Sequence, residues 1–597
     1  MPDEPNQPER ALRRQRAGAM PRRAWLAWTG GGCALAVCAA LESYALPAAM
    51  DPDSKPTPLD AYGGLILNAS GAPWQTPSGR FAVAAWGSRK LLVTPAGHPY
   101  WMRGVFDVDM ATSQYAPGES YRKQILAKYG SEPVWARQSA RRLRGWYFNC
   151  VAEYASSYML PVALYGRAGN AERMPFMAMI RPSHYSLTNR RHYARAPVKD
   201  IVAGTDPAIY QGWRGDTAPD VYDPNFAAYA MGEARAMAVQ LGHSKFLVGV
   251  ATDDADDLYG FGPGPAPAVA RTHPNLGWLV LVTNYEQQAN PRLGVHYADP
   301  RLHAKFAFQQ WLRRRYGTIA GLNRAWNARY SRFGSDGGWP HGRGWLDESG
   351  RSPWVGRDYR SLRTAAPGVR ADLDRFLYLY ARRYFQSVST AVRRYFPGYL
   401  VFGPASLNSW NGLTREPILR AAGPWLDVLQ ASAATAEILD RTAEWTQGLP
   451  MVSWTGMAAN ADSDLFPFPH GSPGAPMLAT QAARGQAYAH ALAAEFQRAT
   501  TSGAHPIAGT KFWAWADSWA EKMNWGLVSF RDNAYDGREA IRARGHDRWG
   551  FVTGGEIRDY GDCLGSIARA NQVLDRRLAK EISAGPAANP RRAARPQ

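Results

Sequence analysis

The chain has 597 residues, 46% of them hydrophobic and 20% charged, which excludes wholesale disorder. That length suits about three or four ordinary domains, or one large barrel with insertions. Lysine and arginine number 69 against 50 acidic residues, for a formal net charge of +19. No Walker loop, zinc-finger spacing or RNA-binding signature accompanies that charge, so nucleic acid is not the indicated partner. A polyanionic glycan or an anionic cell surface would be steered by such a field, and a plain Arg-rich surface would carry it equally well. The 23 Trp and 29 Tyr supply flat rings suited to sugar stacking as well as to a large core.

Residues 1–23 are polar and basic and end in Pro21-Arg22-Arg23, ahead of an apolar stretch from Ala24 to Leu41. Ala45-Leu46-Pro47-Ala48-Ala49 then offers the small residues that a signal peptidase accepts. Residues 1–49 therefore read as an export signal, and Arg22-Arg23-Ala24-Trp25-Leu26 resembles its twin-arginine form. The signal looks equally normal if Met20 is the start. A periplasmic or secreted location follows. The alternative is an uncleaved inner-membrane anchor, because about 18 apolar residues just span a bilayer. Of the four cysteines, Cys33 and Cys38 lie in this segment, leaving Cys150 and Cys563. Neither belongs to a Cys-x-x-Cys pair, and no metal or cofactor is indicated.

Residues 50–98 read as a linker followed by a short β segment, with a hairpin around Pro95-Ala96-Gly97-His98. Eight apolar runs follow: Tyr100–Val108, Trp146–Tyr154, Pro175–Arg181, Phe246–Asp253, Tyr399–Ala405, Leu426–Ser432, Pro450–Trp454 and Gly509–Asp517. Such runs suit strands buried on both faces of a parallel sheet. Helical patterns separate them at Pro133–Leu143, Phe226–Leu241, Asp372–Tyr395 and Gln481–Thr500. Eight strands alternating with helices predict an α/β fold, a (β/α)8 TIM barrel over residues 99–580. An open doubly wound sheet would carry a phosphate-binding glycine fingerprint after its first strand, and Arg103-Gly104-Val105-Phe106 is not one. Strands four and five stand about 145 residues apart, against about 30 per repeat in the minimal fold. A long insertion is expected there, at about 262–370, holding a helical segment at His303–Arg329 and a Gly-rich loop at Gly334–Gly350. Ile557–Lys580 reads as a closing helix, and residues 581–597 as a disordered tail.

Several segments in this order resemble the agarase family of glycoside hydrolases (family fifty), within the clan of retaining barrel glycosidases. Val93-Thr94-Pro95-Ala96-Gly97-His98-Pro99-Tyr100-Trp101 is similar to that family's "TPxGHPFW" entry into strand one. Asp223-Pro224-Asn225-Phe226 looks like its "DPxF", and Leu322-Asn323-Arg324-Ala325-Trp326 like its "LNxAW". Tyr384-Phe385 with Tyr399-Leu400-Val401-Phe402-Gly403 resembles "YF…HLYLG". Arg484-Gly485-Gln486-Ala487-Tyr488 and Asn524-Trp525-Gly526-Leu527-Val528 look like the elements flanking strand eight. The resemblance covers roughly Leu91 to Asp575 and implies a barrel acting on a polysaccharide or oligosaccharide.

The likeness breaks at the chemistry. A retaining glycosidase needs two carboxyls about 5–5.5 Å apart, and in the family these are glutamates after strands four and seven. The first pattern, "GYFxDNE", meets Gly249-Val250-Ala251-Thr252-Asp253-Asp254-Ala255-Asp256-Asp257, so the glutamate's place falls on Ala255 or a neighbouring aspartate. The second, "PxxxSE", meets Pro450-Met451-Val452-Ser453-Trp454 with its serine on Ser453, so the nucleophile's place falls on Trp454, and an indole cannot attack an anomeric carbon. Asp254 and Asp256, flanking the lost position, are the candidate acids, with Asp517, Glu521 or Glu153 as base for an inverting reaction. Such an acidic loop is equally at home as a solvated turn or a helix cap. Trp454, Trp513, Trp515, Glu521, Glu153, Tyr154, His184, Asn408 and Trp410 stand at the ends of predicted strands as candidate sugar contacts. Two functions fit. The first is hydrolysis of a polysaccharide, acidic ones included, by a rearranged carboxylate set. The alternative is a catalytically degenerate barrel that binds a glycan without cutting it.

Overall fold

The computed structural model describes residues 56–110, 120–155, 173–185, 219–253, 303–330, 367–405, 416–460, 477–518, 524–542 and 557–585, apart from short gaps within some of these ranges, and the single residues Met159 and Phe333. Strands β1 (Ala82–Trp86) and β2 (Arg89–Val93) form an antiparallel hairpin, to which β3 (Pro99–Tyr100) adds a third strand. The turn from β2 to β3 requires Gly97. Its φ is 85°, and a Cβ there would lie 2.1 Å from the Gln75 carbonyl oxygen.

Eight parallel strands follow: β4 (Met102–Val105), β5 (Cys150–Val151), β6 (Phe176–Ile180), β7 (Leu247–Thr252), β8 (Leu400–Val401), β9 (Leu429–Gln430), β10 (Met451–Thr455) and, after the small parallel pair β11 (Ala459–Asn460) and β12 (Met477–Leu478), β13 (Ile507–Phe512). Six lie inside their apolar runs, while β10 ends one residue past its run at Thr455 and β13 starts two residues before its run at Ile507. A parallel bridge between Phe402 and Val428 joins the β8 and β9 edges, which closes the sheet into the expected barrel. Side chains on one surface of the strands, among them Val105, Phe176, Val401 and Met451, join the large core shared with the helices. Met102, Cys150, Val248, Val428, Val452 and Ala508 form a separate cluster with Phe81, Leu92 and Tyr100 of the hairpin sheet. The hairpin also bonds to the segment entering β13, where the His505 backbone N–H donates to the Ser88 carbonyl at 2.7 Å. One end of the barrel is thereby plugged with apolar side chains.

The expected helices are present as α2 (Glu132–Gly145), α3 (Pro224–Leu241), α6 (Pro367–Tyr395) and α9 (Gln481–Gln497). Three more carry weaker patterns: α1 (Tyr121–Tyr129), α7 (Glu416–Ala422) and α8 (Ala436–Trp445). The insertion's helical segment is two helices, α4 (His303–Tyr316) and α5 (Ile319–Trp326). Both dock on Asp372 of α6, which accepts from Trp326 Nε1 at 2.8 Å and from the Tyr316 hydroxyl, and pairs with Arg315. The closing helix starts later than its apolar pattern suggests. Ile557–Asp559 is β15, paired with β14 (Ala540–Arg542), and α10 (Cys563–Ser583) begins where the Asp562 side chain caps it. Arg103 of β4 reaches α10 through two bonds to Asp575, at 2.6 and 2.9 Å. The Gly-rich loop of the insertion lies outside the described residues.

Candidate functional site at the carboxyl ends of the strands

Parallel strands bring all their carboxyl ends to one face, where barrels carry their sites. Three of these strand exits leave in left-handed backbone at residues other than glycine. Asp107 follows strand one at φ 65°, Tyr154 follows strand two at 64°, and Asp253 follows strand four at 68°. Asp tolerates this region through its short polar side chain. Tyr does not, so Tyr154 holds it at some cost.

Lys511 of β13 stands in register with Gly104 of β4 and Trp454 of β10. A Cβ on Gly104 would lie 3.1 Å from Lys511 Cγ, so the glycine leaves room for the lysine stem. The Lys511 ammonium lies 3.0 Å from each carboxylate oxygen of Glu153 and also donates to the Gln430 side chain. It sits 3.5 Å from the Ala405 carbonyl oxygen and 4.2 Å from the centre of the Phe106 ring. Lys511 and Glu153 are both 0% exposed. Charges are held that deep only when paired and hydrogen-bonded. Burial, reinforced by the Glu153 charge, pushes the neighbouring Cys150 thiol far above its ordinary value, which leaves it inert.

Next to this pair, Trp454 and Trp513 stack with ring centres 5.6 Å apart and planes 5° from parallel. Phe106 leans on both, at 4.8 and 5.3 Å. Trp454 Nε1 donates to the Ala405 carbonyl at 3.1 Å. Both indoles are half-buried, and so is Tyr154, over whose ring the Arg181 guanidinium lies at 5.8 Å.

The other candidates divide. Trp515 is fully buried, with its Nε1 donating to the Tyr121 hydroxyl at 2.8 Å and its ring against Trp135 and Trp146. It belongs to the helix layer and not to the mouth. Asp517 is also fully buried. One of its oxygens accepts from the Gly526 N–H at 2.8 Å, the other from the Tyr535 hydroxyl, so it fastens the loop after strand eight. Gly526 is required there, since a Cβ would lie 2.3 Å from Asp517 N. Glu153, expected to meet sugar or act as base, is instead neutralised by Lys511. His184 falls in the 3-10 turn Pro182–His184 after strand three. Asp254, Asp256, Glu521, Asn408 and Trp410 lie outside the described residues.

Asp253, the first aspartate of the acidic loop, was not among the candidates. It is buried and accepts from Ser183 N at 3.0 Å, from Ser183 Oγ at 2.8 Å and from the Tyr384 hydroxyl. Asp107 and Asp109, also outside the candidate set, stand half-buried at the exit of strand one. Lys511 had a legible signal, since one lysine within an apolar strand must find a buried partner. Among the described residues, no group of three or more His, Cys, Asp or Glu side chains is arranged to hold a metal ion.

No protein-family model matches the chain. Beta-agarase A of Vibrio sp. (strain JT0107) is 24% identical over 326 residues, which is 53% of this chain and 25% of that protein. Its likeness is to the agarases. The match spans only about a quarter of that relative's length. Among solved structures, an exo-beta-agarase superposes with a TM-score of 0.58 at 18% identity, covering 89% of this chain and 68% of its own. The agarase AgWH50C gives 0.58 at 15% identity, over 88% and 68%. BpGH50 gives 0.55 at 15% identity and is matched over 92% of its length. The fold is therefore the agarase-like barrel that the sequence motifs imply.

Proposed function

We propose that the chain is an exported, agarase-like barrel that binds a polysaccharide at the carboxyl ends of its strands and does not cut it by the retaining mechanism. Trp454 carries the reading. With the motif's serine set on Ser453, it stands where the family resemblance calls for the nucleophilic glutamate, and it is half of an indole pair; counted from Pro450 that place falls on Thr455, which is no carboxylate either. Stacked indoles bind sugar rings through their apolar faces and supply no nucleophile. The buried carboxylates nearby support the same reading, because each is committed: Glu153 to Lys511, Asp253 to Ser183 and Tyr384, Asp517 to Gly526 and Tyr535. Binding thus moves ahead of hydrolysis, reversing their order in the sequence reading. Hydrolysis keeps one specific support, the half-buried Asp107 and Asp109, which would serve as base to an acid at Asp254 or Asp256. The net charge of +19 is compatible with an acidic glycan. Export rests on the pattern of residues 1–49; no helix among the described residues is long and apolar enough to cross a membrane.

Affinity electrophoresis through gels cast with neutral or acidic polysaccharides tests the reading. Retardation of the wild-type chain in one gel, largely lost in Trp454→Ala, is expected. Retardation unchanged in Trp454→Ala would remove the indole pair from the site.

A further inference from the structure

Lys511 has no role in either reading of the mouth, and burying it together with Glu153 is an expensive way to fill a barrel. Its contacts suggest what it does. The ammonium gathers side chains or carbonyls from strand two (Glu153), the exit of strand five (Ala405) and strand six (Gln430). Two of its neighbours support the indole pair. The Ala405 carbonyl accepts the Trp454 N–H, and the Phe106 ring, 4.2 Å from the ammonium, bears on both Trp454 and Trp513. An ammonium near an aromatic face is held by the ring quadrupole, and a carbonyl near a buried cation is oriented by it.

We propose that Lys511 is a positioning residue for the glycan platform: its buried ammonium fixes the Ala405 carbonyl and the Phe106 ring, and through them the placement of the Trp454–Trp513 pair. For the consequence on binding, the inference rests on the glycan-binding reading. The placement itself is independent of any ligand. Glu153 is the counter-charge that lets the ammonium stay buried. Gly104, opposite it in register, gives the stem its space.

Removing Lys511 alone strands the Glu153 carboxylate and risks unfolding, so the informative variant removes both charges, as Lys511→Met with Glu153→Gln. The chain is labelled with 5-fluorotryptophan, and the fluorine resonances of Trp454 and Trp513 are assigned from Trp454→Phe and Trp513→Phe. In the double variant these two resonances are expected to move or broaden, while those of Trp135 and Trp101 in the large core stay in place. Polysaccharide affinity is expected to fall about tenfold, roughly the worth of one well-placed aromatic contact. Fluorine resonances of Trp454 and Trp513 that coincide with wild type overturn the inference. If the double variant does not fold, Gln430→Leu serves, since it loosens the ammonium while leaving the ion pair; unmoved Trp454 and Trp513 resonances there overturn the inference as well. A wild-type chain that retains no polysaccharide while the resonances move in the variant sinks the glycan reading and leaves the positioning role standing.

Discussion

The two ends of the barrel are built by opposite chemistry. The end under the hairpin is sealed with Phe81, Leu92, Tyr100, Met102, Val248 and Val452, all apolar or nearly so. The carboxyl end holds a buried lysine and glutamate, a glutamine, three left-handed exits and two stacked indoles. Apolar packing stabilises without directional demands, whereas a buried ion pair is at best neutral beside a hydrophobic replacement. A barrel that needed only stability would be built like its closed end throughout. Other buried charges, such as Arg103 with Asp575, tie the barrel to its helices, whereas the Lys511–Glu153 pair lies beside the stacked indoles at the face proposed to meet a ligand.

Substitutions at the two ends should therefore separate stability from binding. Lys511→Ala leaves Glu153 buried without its cation and should destabilise by about 3–5 kcal/mol, read as a large fall in melting temperature, with polysaccharide retention lost as well. Phe81→Ala at the closed end should lower stability by roughly 3 kcal/mol through the cavity it opens, yet leave retention at permissive temperature unchanged. If Phe81→Ala also abolished retention, the division of labour between the ends would fail. Trp454→Ala should reverse that pattern, with affinity reduced about tenfold and only a modest loss of stability, since the indole is half-buried.

The smallest effect concerns pH at the closed end. His505 accompanies the hairpin bond to Ser88, and burial, with Arg89 nearby, lowers its pKa below the ordinary 6.5. A base with a lowered folded pKa contributes stability above its unfolded value and loses it as pH falls through the folded one. Melting temperature should thus decline slightly between about pH 7 and pH 5, and His505→Gln should flatten that part of the profile. An unchanged slope in His505→Gln would assign the decline to other groups.

Much of the fold was legible because strands buried on both faces are mostly apolar, and all eight runs are, with Arg103 and Lys511 as the charged exceptions within the strands themselves. The sequence starts the closing helix too early because Ile557, the single apolar residue of β15, prolongs the pattern upstream of Leu564, while the cap at Asp562 marks the true start. The mouth was harder to read. Trp513 and Trp515 look alike in sequence, but β13 ends at Phe512, so the alternation of a strand no longer decides which way either ring points. One reaches the mouth and the other the helix layer. Asp517 carried the right chemistry at the right strand end, and only its bonds to Gly526 and Tyr535 identify it as a fastening. Glu153 was visible as a carboxylate at a strand end. Its partner stood some 358 positions later in the chain, beyond any local pattern.

The central claim is that the mouth binds a glycan without cutting it, and reducing-end release by the purified chain across neutral and acidic polysaccharides tests it most directly, with Asp254→Asn and Asp256→Asn beside the wild type. The account predicts no release from any polymer, including one that the chain retains in affinity gels. Release by the wild type that either substitution abolishes would contradict it and establish a hydrolase with a relocated acid.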